Sequence, residues 1–449
     1  MRIKFILPAL EEAKSPFWRP IKYSLFPPLG LATLAACCGA DDEITLADEH
    51  VEELELEDDP QLVCIETYIT NARRAYALGD HYRARGAYVA MGGLHATTLP
   101  AEALAHCDTV LLGPGERAFP RFLADLRAGR AMRRYCDGEF DLSAAPLPRR
   151  DLFRREKYFV PNSMTISRGC PNRCDFCYVG SFFPPGKSFY AMKIDRILAE
   201  LETMPGRHLY FLDDNLFADK RLCRDLFTEL RGRGKLFQGA VTVPGVLDGD
   251  LIELARDAGF RSAFIGFEST RRESLVSAGK GVNVDRDYGA AIRRLDELGI
   301  LINGSFIFGL EEDGPEVFDD TARWAVDQGI TTATFHILTP YPGTVVYKSM
   351  ERAGRITCRD WDRYDTRHLV FDHPRLSARE MEEGYHRAYK TFYRWGNIAA
   401  GAGHHERLRM RAKHFFYSGA WKKCEPMWNF IIKAGLLGRA RAGLEAVLR

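Results

Sequence analysis

No stretch of the 449-residue sequence stays apolar for the ~18 positions that a membrane-crossing helix needs, so none is expected. The amino-terminal MRIKFILPAL lacks both a sustained apolar core and a small-residue cleavage site, which excludes a secretory signal and fits a buried first strand. Charge of one sign is missing too. Lys and Arg number 62 against 61 Asp and Glu, a net charge of +1, whereas a chain built to bind nucleic acid carries a basic excess. Cysteine, at 11 residues, is too sparse for a disulfide scaffold, and eight of the 11 are scattered as reduced thiols would be. These absences place the protein in the cytoplasm, free or on a membrane surface, with no nucleic-acid partner.

What is present is alternation of short apolar strands with amphipathic helices, in a chain long enough for two to three domains. Strands are expected at Ile3–Leu7, Glu43–Leu46, Leu62–Glu66, Tyr88–Met91 and Thr109–Leu112, with helices at Leu29–Cys38 and Thr70–Arg85. This alternation predicts a Rossmann-like, flavodoxin-like α/β domain over residues 1–140, with ligands at the carboxyl ends of its strands. A Pro-rich linker, Ala144–Arg150, leads into a second strand–helix series over 141–375. Its strands end at Ile166, Leu212, Val243, Phe267, Phe308 and Leu338, a partial (β/α)6 barrel in which chemistry collects at those ends. Residues 376–449 read as a helical region.

The segment SRGCPNRCDFCYVG sets Cys170, Cys174 and Cys177 at C-x-x-x-C-x-x-C spacing on the first loop above the barrel. Three thiolates on one short loop can hold three irons of a [4Fe-4S] cluster, leaving the fourth iron open to another ligand. A structural zinc site would want a fourth ligand, and no further Cys or His lies close by in the sequence. Three unrelated core cysteines are the remaining alternative, and they would rarely crowd onto one polar loop.

The loop, with Phe176 just before its last cysteine, resembles the signature of radical S-adenosylmethionine (SAM) enzymes. The resemblance implies a cluster that binds SAM and reduces it to give a 5′-deoxyadenosyl radical, with electrons from a donor such as flavodoxin or ferredoxin. It implies SAM contacts at Phe176 and at the strand ends: Asp213, Asp214 and Asn215 in FLDDN, Glu268 in GFES, Ser305 and Gly309 in NGSFIFGLEE, and His336 and Leu338 in FHILTPYPGT. An Asp-Asp-Asn can equally be a helix N-cap. No residue is assigned to quench or deprotonate the product; Tyr178, His336 and Tyr341 stand near the right place.

The first domain resembles the cobalamin-binding domains of the B12-dependent radical SAM group through FPPLGLATLAA (Phe26–Ala36), ADEH (Ala47–His50), GGLHATTLP (Gly92–Pro100) and LLGPGE (Leu111–Glu116). On this resemblance Thr67, Gly92, Gly93, His95, Gly113 and Glu116 line a cobalamin pocket. The Asp-x-His-x-x-Gly motif of other B12 proteins is absent: Asp48 and His50 keep its offset, but Glu53 stands where glycine is needed. The implied activity is cobalamin-dependent C-methylation of a hydrophobic small molecule such as a lipid, tetrapyrrole or natural product. The alternatives are a non-methylating cyclase or carbon–carbon coupling enzyme with a vestigial B12 domain, and a non-catalytic cobalamin or metal sensor.

The last 49 residues hold ten Lys or Arg against three Glu, interleaved with Phe415, Phe416, Trp421, Trp428 and Phe430. They read either as a helical lid on the barrel or as a contact for the inner face of a membrane.

Overall fold

The computed structural model describes residues 1–10, 21–136, 138, 141–183, 187–423 and 425–449; the boundary expected at residue 140 and the side chain of Trp421 lie outside the described residues. Six parallel strands come first: β1 (Arg2–Leu7), β2 (Glu43–Asp48), β3 (Leu62–Glu66), β4 (Tyr88–Gly92), β5 (Thr109–Leu112) and β6 (Arg134–Cys136), in the order β2-β1-β3-β4-β5-β6. Val63, Cys64 and Ile65 are buried on both faces of β3, as in a parallel sheet between helical layers. The chain winds outward from β1 in both directions, and that switch point puts a ligand crevice beyond the carboxyl ends of β1 and β3.

The second sheet opens with β7 (Ser163–Met164). A short antiparallel ribbon follows, β8 (Ser167–Gly169) with β9 (Phe189–Ala191), which the sequence pattern did not indicate. Then come β10 (His208–Phe211), β11 (Leu236–Val241), β12 (Phe260–Glu268), β13 (Leu301–Phe308) and β14 (Thr332–Ile337), ordered β14-β13-β12-β11-β10-β7. Edge strands β7 and β14 do not pair, so the barrel is partial.

Side chains alternate across these strands and give the barrel two unlike faces. Outward, aromatic rings fill the layer beneath the helices: Phe211 meets Phe237 at 5.3 Å, Phe308 meets Phe335 at 5.4 Å, and Phe306 lies 5.7 Å from Phe267. Inward, the lining is polar. His208 Nε2 is 2.8 Å from Gln238 Nε2, and Asn303 donates to Ser262 Oγ at 2.7 Å.

The Ala378–Phe392 helix covers the open edge of β14, where Tyr389 and Tyr393 bond the backbone of Phe335 and Ala333, and the Leu408–Ser418 helix lies at the barrel's base. The Leu408–Ser418 helix turns Met410, His414 and Tyr417 inward. Met410 packs with Leu236 and Leu301 at the starts of β11 and β13, and Tyr417 donates to Gln238 Oε1 at 3.5 Å. His414 meets His405 at 2.9 Å, and His405 pairs with Asp296 at 2.5 Å. On this inner face the region is a lid.

The linker is tied into the barrel by Arg150, which donates to the Ser163 carbonyl at 2.7 Å and to buried Glu200 at 2.6 Å, with Arg196 bonding the other Glu200 oxygen. Losing one partner of a buried pair strands the other. Arg150→Met should therefore destabilise the chain by about 2–3 kcal/mol in urea unfolding. A loss below about 0.5 kcal/mol, the range of an ordinary surface substitution, would show that the clamp is idle.

Candidate active site

The cysteine loop is held by its stems. Gly169 adopts φ +80°, and a Cβ there would lie 2.0 Å from the Ser188 carbonyl oxygen, so only glycine lets β8 and β9 close. Cys170 N–H donates to that carbonyl at 2.8 Å, and Ser188 Oγ donates back to the Cys170 carbonyl at 2.9 Å. The carboxylates of Asp213 and Asp214, just past β10, grip the stems. Asp213 accepts from Ser167 N–H and Oγ, both at 2.6 Å, and from Ile166 N–H at 3.2 Å. Asp214 accepts from Gly169 N–H at 3.0 Å and, beyond the last cysteine, from the Tyr178 hydroxyl at 2.6 Å. Both are expected to contact SAM, and the structure shows their oxygens also bonded to the loop. Asn215 is different, since its Oδ1 is buried with no hydrogen-bond partner among the described residues.

Burial raises the pKa of Cys170 and Cys174 and pushes Cys177 up to about 12. Asn172 Nδ2, 3.4 Å from Cys170 Sγ, and the Lys280 charge near Cys174 work against this. Among the described residues no three His, Cys, Asp or Glu side chains converge as ligands of one metal ion. The donor set of three clustered thiols suits an iron–sulfur cube, whose corners are separate irons.

Lys280, which no motif announced, is a half-buried cation at the site. Its Nζ lies 2.8 Å from Glu268 Oε1 and 5.8 Å from the centre of the Phe176 ring. Burial opposes its charge, but Glu268 and the thiols of Cys174 and Cys177 outweigh that and leave its pKa raised. Glu268 itself sits at φ +64° beside a register shift in β12, and a side chain at Gly266 would collide with its carboxylate at 2.4 Å. Ser305 is buried on β13. Gly309, at φ +88°, donates its N–H to Asp313 at 2.9 Å, and Leu338 N–H donates to the Phe308 carbonyl. His336 is 3.1 Å from Thr366 Oγ1, and burial together with the Lys22 charge lowers its pKa to about 4, so it is neutral at pH 7.

The first sheet presents its carboxyl edge to this loop. Arg168, two residues before Cys170, pairs with Glu116. A Cβ on Gly113 would meet the Phe182 carbonyl at 3.1 Å, so the chain just after the cysteines packs on the first domain. Gly93, at φ +100°, fits against Thr67, whose carbonyl a Cβ would approach to 2.9 Å. Thr67 Oγ1 and Glu116 Oε2 are buried without partners among the described residues, which leaves both able to bond a polar ligand. Glu66 and Tyr68, 2.9 Å apart past β3, share this edge; burial raises Glu66 and the Glu66 charge raises Tyr68. His95 is fully enclosed at the joint between domains, with Nε2 3.2 Å from Glu102, its ring 5.3 Å from Trp361 and its Nδ1 without a hydrogen-bond partner among the described residues. Glu102 also accepts from Trp361 Nε1 at 2.8 Å.

Residues 164–325 match the Radical SAM superfamily, and residues 23–123 match the B12 binding domain. The chain is 28% identical over 384 residues to bacteriochlorophyllide d C-12(1)-methyltransferase of Chlorobaculum tepidum, covering 83% of each chain. It is 27% identical to the C-8(2)-methyltransferase of the same organism, over 82% of this chain and 86% of that one. In fold it is similar to the radical SAM methyltransferase TsrM of Kitasatospora setae, solved with cobalamin and a [4Fe-4S] cluster bound: TM-score 0.66 at 13% identity, covering 98% of this chain and 99% of that one.

Burial raises Asp213 from 3.8 to about 7 despite the three donors it accepts from. The folded state therefore holds this proton more tightly than the unfolded chain, and its ionisation makes stability fall as pH rises from about 4 to about 7. Asp213→Asn should flatten that part of the pH–stability curve in urea unfolding. Parallel curves for the two proteins would contradict the assignment.

Proposed function

Because the chain belongs to the radical SAM enzymes that carry a B12-binding domain, we propose that it C-methylates a hydrophobic small molecule, a tetrapyrrole, lipid or natural product. Its cofactors are a [4Fe-4S] cluster, SAM and cobalamin. When bound they supply hydrogen abstraction by a 5′-deoxyadenosyl radical and delivery of a methyl group.

The observation that carries the reading is the meeting of two half-sites. The loop of Cys170, Cys174 and Cys177 lies against the carboxyl edge of the first sheet, joined to it by Arg168 and Glu116. The three cysteines would hold the cluster. Asn215, with its unspent oxygen, and Glu268, steadied by Lys280, would take polar groups of SAM; Phe176, Ser305, Gly309, His336 and Leu338 would complete that wall. Thr67, Gly92, Gly93, Gly113 and Glu116 would face the cobalamin. Aromatic packing at Trp361 and Tyr364, whose rings are 4.9 Å apart, helps seal the joint against water.

Hydrophobic methylated compounds are what the Chlorobaculum relatives are named for, and they favour this substrate class. A flavodoxin or ferredoxin would donate the electron. No helix among the described residues is long and apolar enough to cross a membrane. The reading therefore puts the protein in the cytoplasm, at the inner membrane face where such substrates partition.

Anaerobically reconstituted protein, given SAM labelled in its methyl group, a strong reductant and a chlorophyllide-type tetrapyrrole, should yield 5′-deoxyadenosine and a labelled tetrapyrrole. 5′-Deoxyadenosine with modified but unlabelled tetrapyrrole would replace the proposal with a cyclase or coupling reaction.

A further inference from the structure

The Leu408–Ser418 helix is apolar on two opposite sides. One side packs on the barrel base through Met410, His414, Tyr417 and Ser418. At 100° per residue the opposite side carries Leu408, Ala412, Phe415 and Phe416. Leu408 is 79% exposed and Phe416 65%, far beyond what a helix covered by its own protein shows. Trp395, on the preceding helix, extends this side: it is 52% exposed, its ring is 5.7 Å from Phe415, and Lys423 Nζ lies 5.6 Å from its centre.

Cations flank the apolar strip. Arg409 and Lys413 run along one border and Arg411 along the other. Lys413 is crowded: burial, then Arg409, Arg261 and Arg256, lower its pKa to about 8. The carboxylates nearby do not balance the group, since Asp257 serves both Arg256 and Arg231 at 3.6 Å and Glu406 is the one acid on the approach to the helix.

We infer that this face docks onto an anionic lipid surface, with Leu408, Phe415, Phe416 and Trp395 entering the acyl boundary and Arg409, Arg411, Lys413 and Lys423 meeting the head groups. Long basic side chains beside an apolar strip reach head groups while the strip is immersed, the geometry of a helix lying in the interface plane. A second copy of the chain is disfavoured as occupant. A two-fold contact would set the same cations against each other. The inference deepens the reading of a membrane-partitioned substrate and rests on it for its purpose, but its test uses neither substrate nor cofactors.

Full-length protein should sediment with phosphatidylglycerol-containing vesicles, less so as salt rises, and weakly with phosphatidylcholine alone. Leu408→Ser with Phe416→Ser should lower vesicle affinity about tenfold or more, and Arg409→Ser with Lys413→Ser should weaken its salt dependence. Leu408, Phe416 and Arg409 are exposed and Lys413 is half-buried among like charges, so the melting temperature of both variants should stay that of the parent. Equal sedimentation of all the proteins, or binding indifferent to lipid charge, overturns the inference. So does self-association of the parent that the Phe416 variant abolishes, which would make the face a contact between copies.

Discussion

Two consecutive carboxylates past β10 bear on both stems of the cysteine loop, and the arrangement of the site follows from that grip. Asp213 holds the strand that enters the loop through Ile166 and Ser167. Asp214 reaches Gly169 on the entering side and Tyr178 on the leaving side. The loop's Phe176 and Cys177 pack on the core, and the hydrogen bonds to its stems fix how it presents three thiols. The same constraint orders what surrounds it. Beside the two bonded aspartates, Asn215 keeps a buried oxygen with no partner among the described residues, and a cation near the thiols comes from Lys280, opposite Glu268.

The second organising feature is that the two α/β units meet edge to edge. Arg168 on the cysteine stem pairs with Glu116, Tyr158 donates to buried Asp48 at 3.0 Å, and Trp361 donates to Glu102. These contacts link the carboxyl edge of one sheet to the loops of the other, so a reacting carbon between them would be reached from both sides. At the opposite end, Tyr417 and Met410 close the barrel base, which leaves the cofactor edge as the working face.

Much of this was legible in the sequence because it depends on local pattern. Cysteine spacing marks the loop, apolar runs mark β1 to β5 and the barrel strands, and their ends mark the candidate residues. What escaped depends on long-range partners. The β8–β9 ribbon has strands of three residues each, too short for an alternation to register. Asp213 and Asp214 read as ligands or an N-cap because their donors lie 36 or more residues away in sequence. Lys280 and Arg168 are single basic residues whose meaning comes from Glu268 and Glu116. His95 sits in a glycine-bearing segment that suggests a pocket, and its contacts with Glu102 and Trp361 across the domain joint were not legible there. Tyr417 reaches the barrel interior from a helix whose composition advertised its outer face.

The central claim is that one chain gathers an iron–sulfur cluster and cobalamin at a shared edge. Metal content and the visible spectrum of anaerobically purified protein test it together. The account predicts about four irons and a cobalt per chain, with iron–sulfur absorption that Cys170→Ala abolishes while the corrin bands remain. Iron without cobalt, or a spectrum indifferent to Cys170, would contradict it.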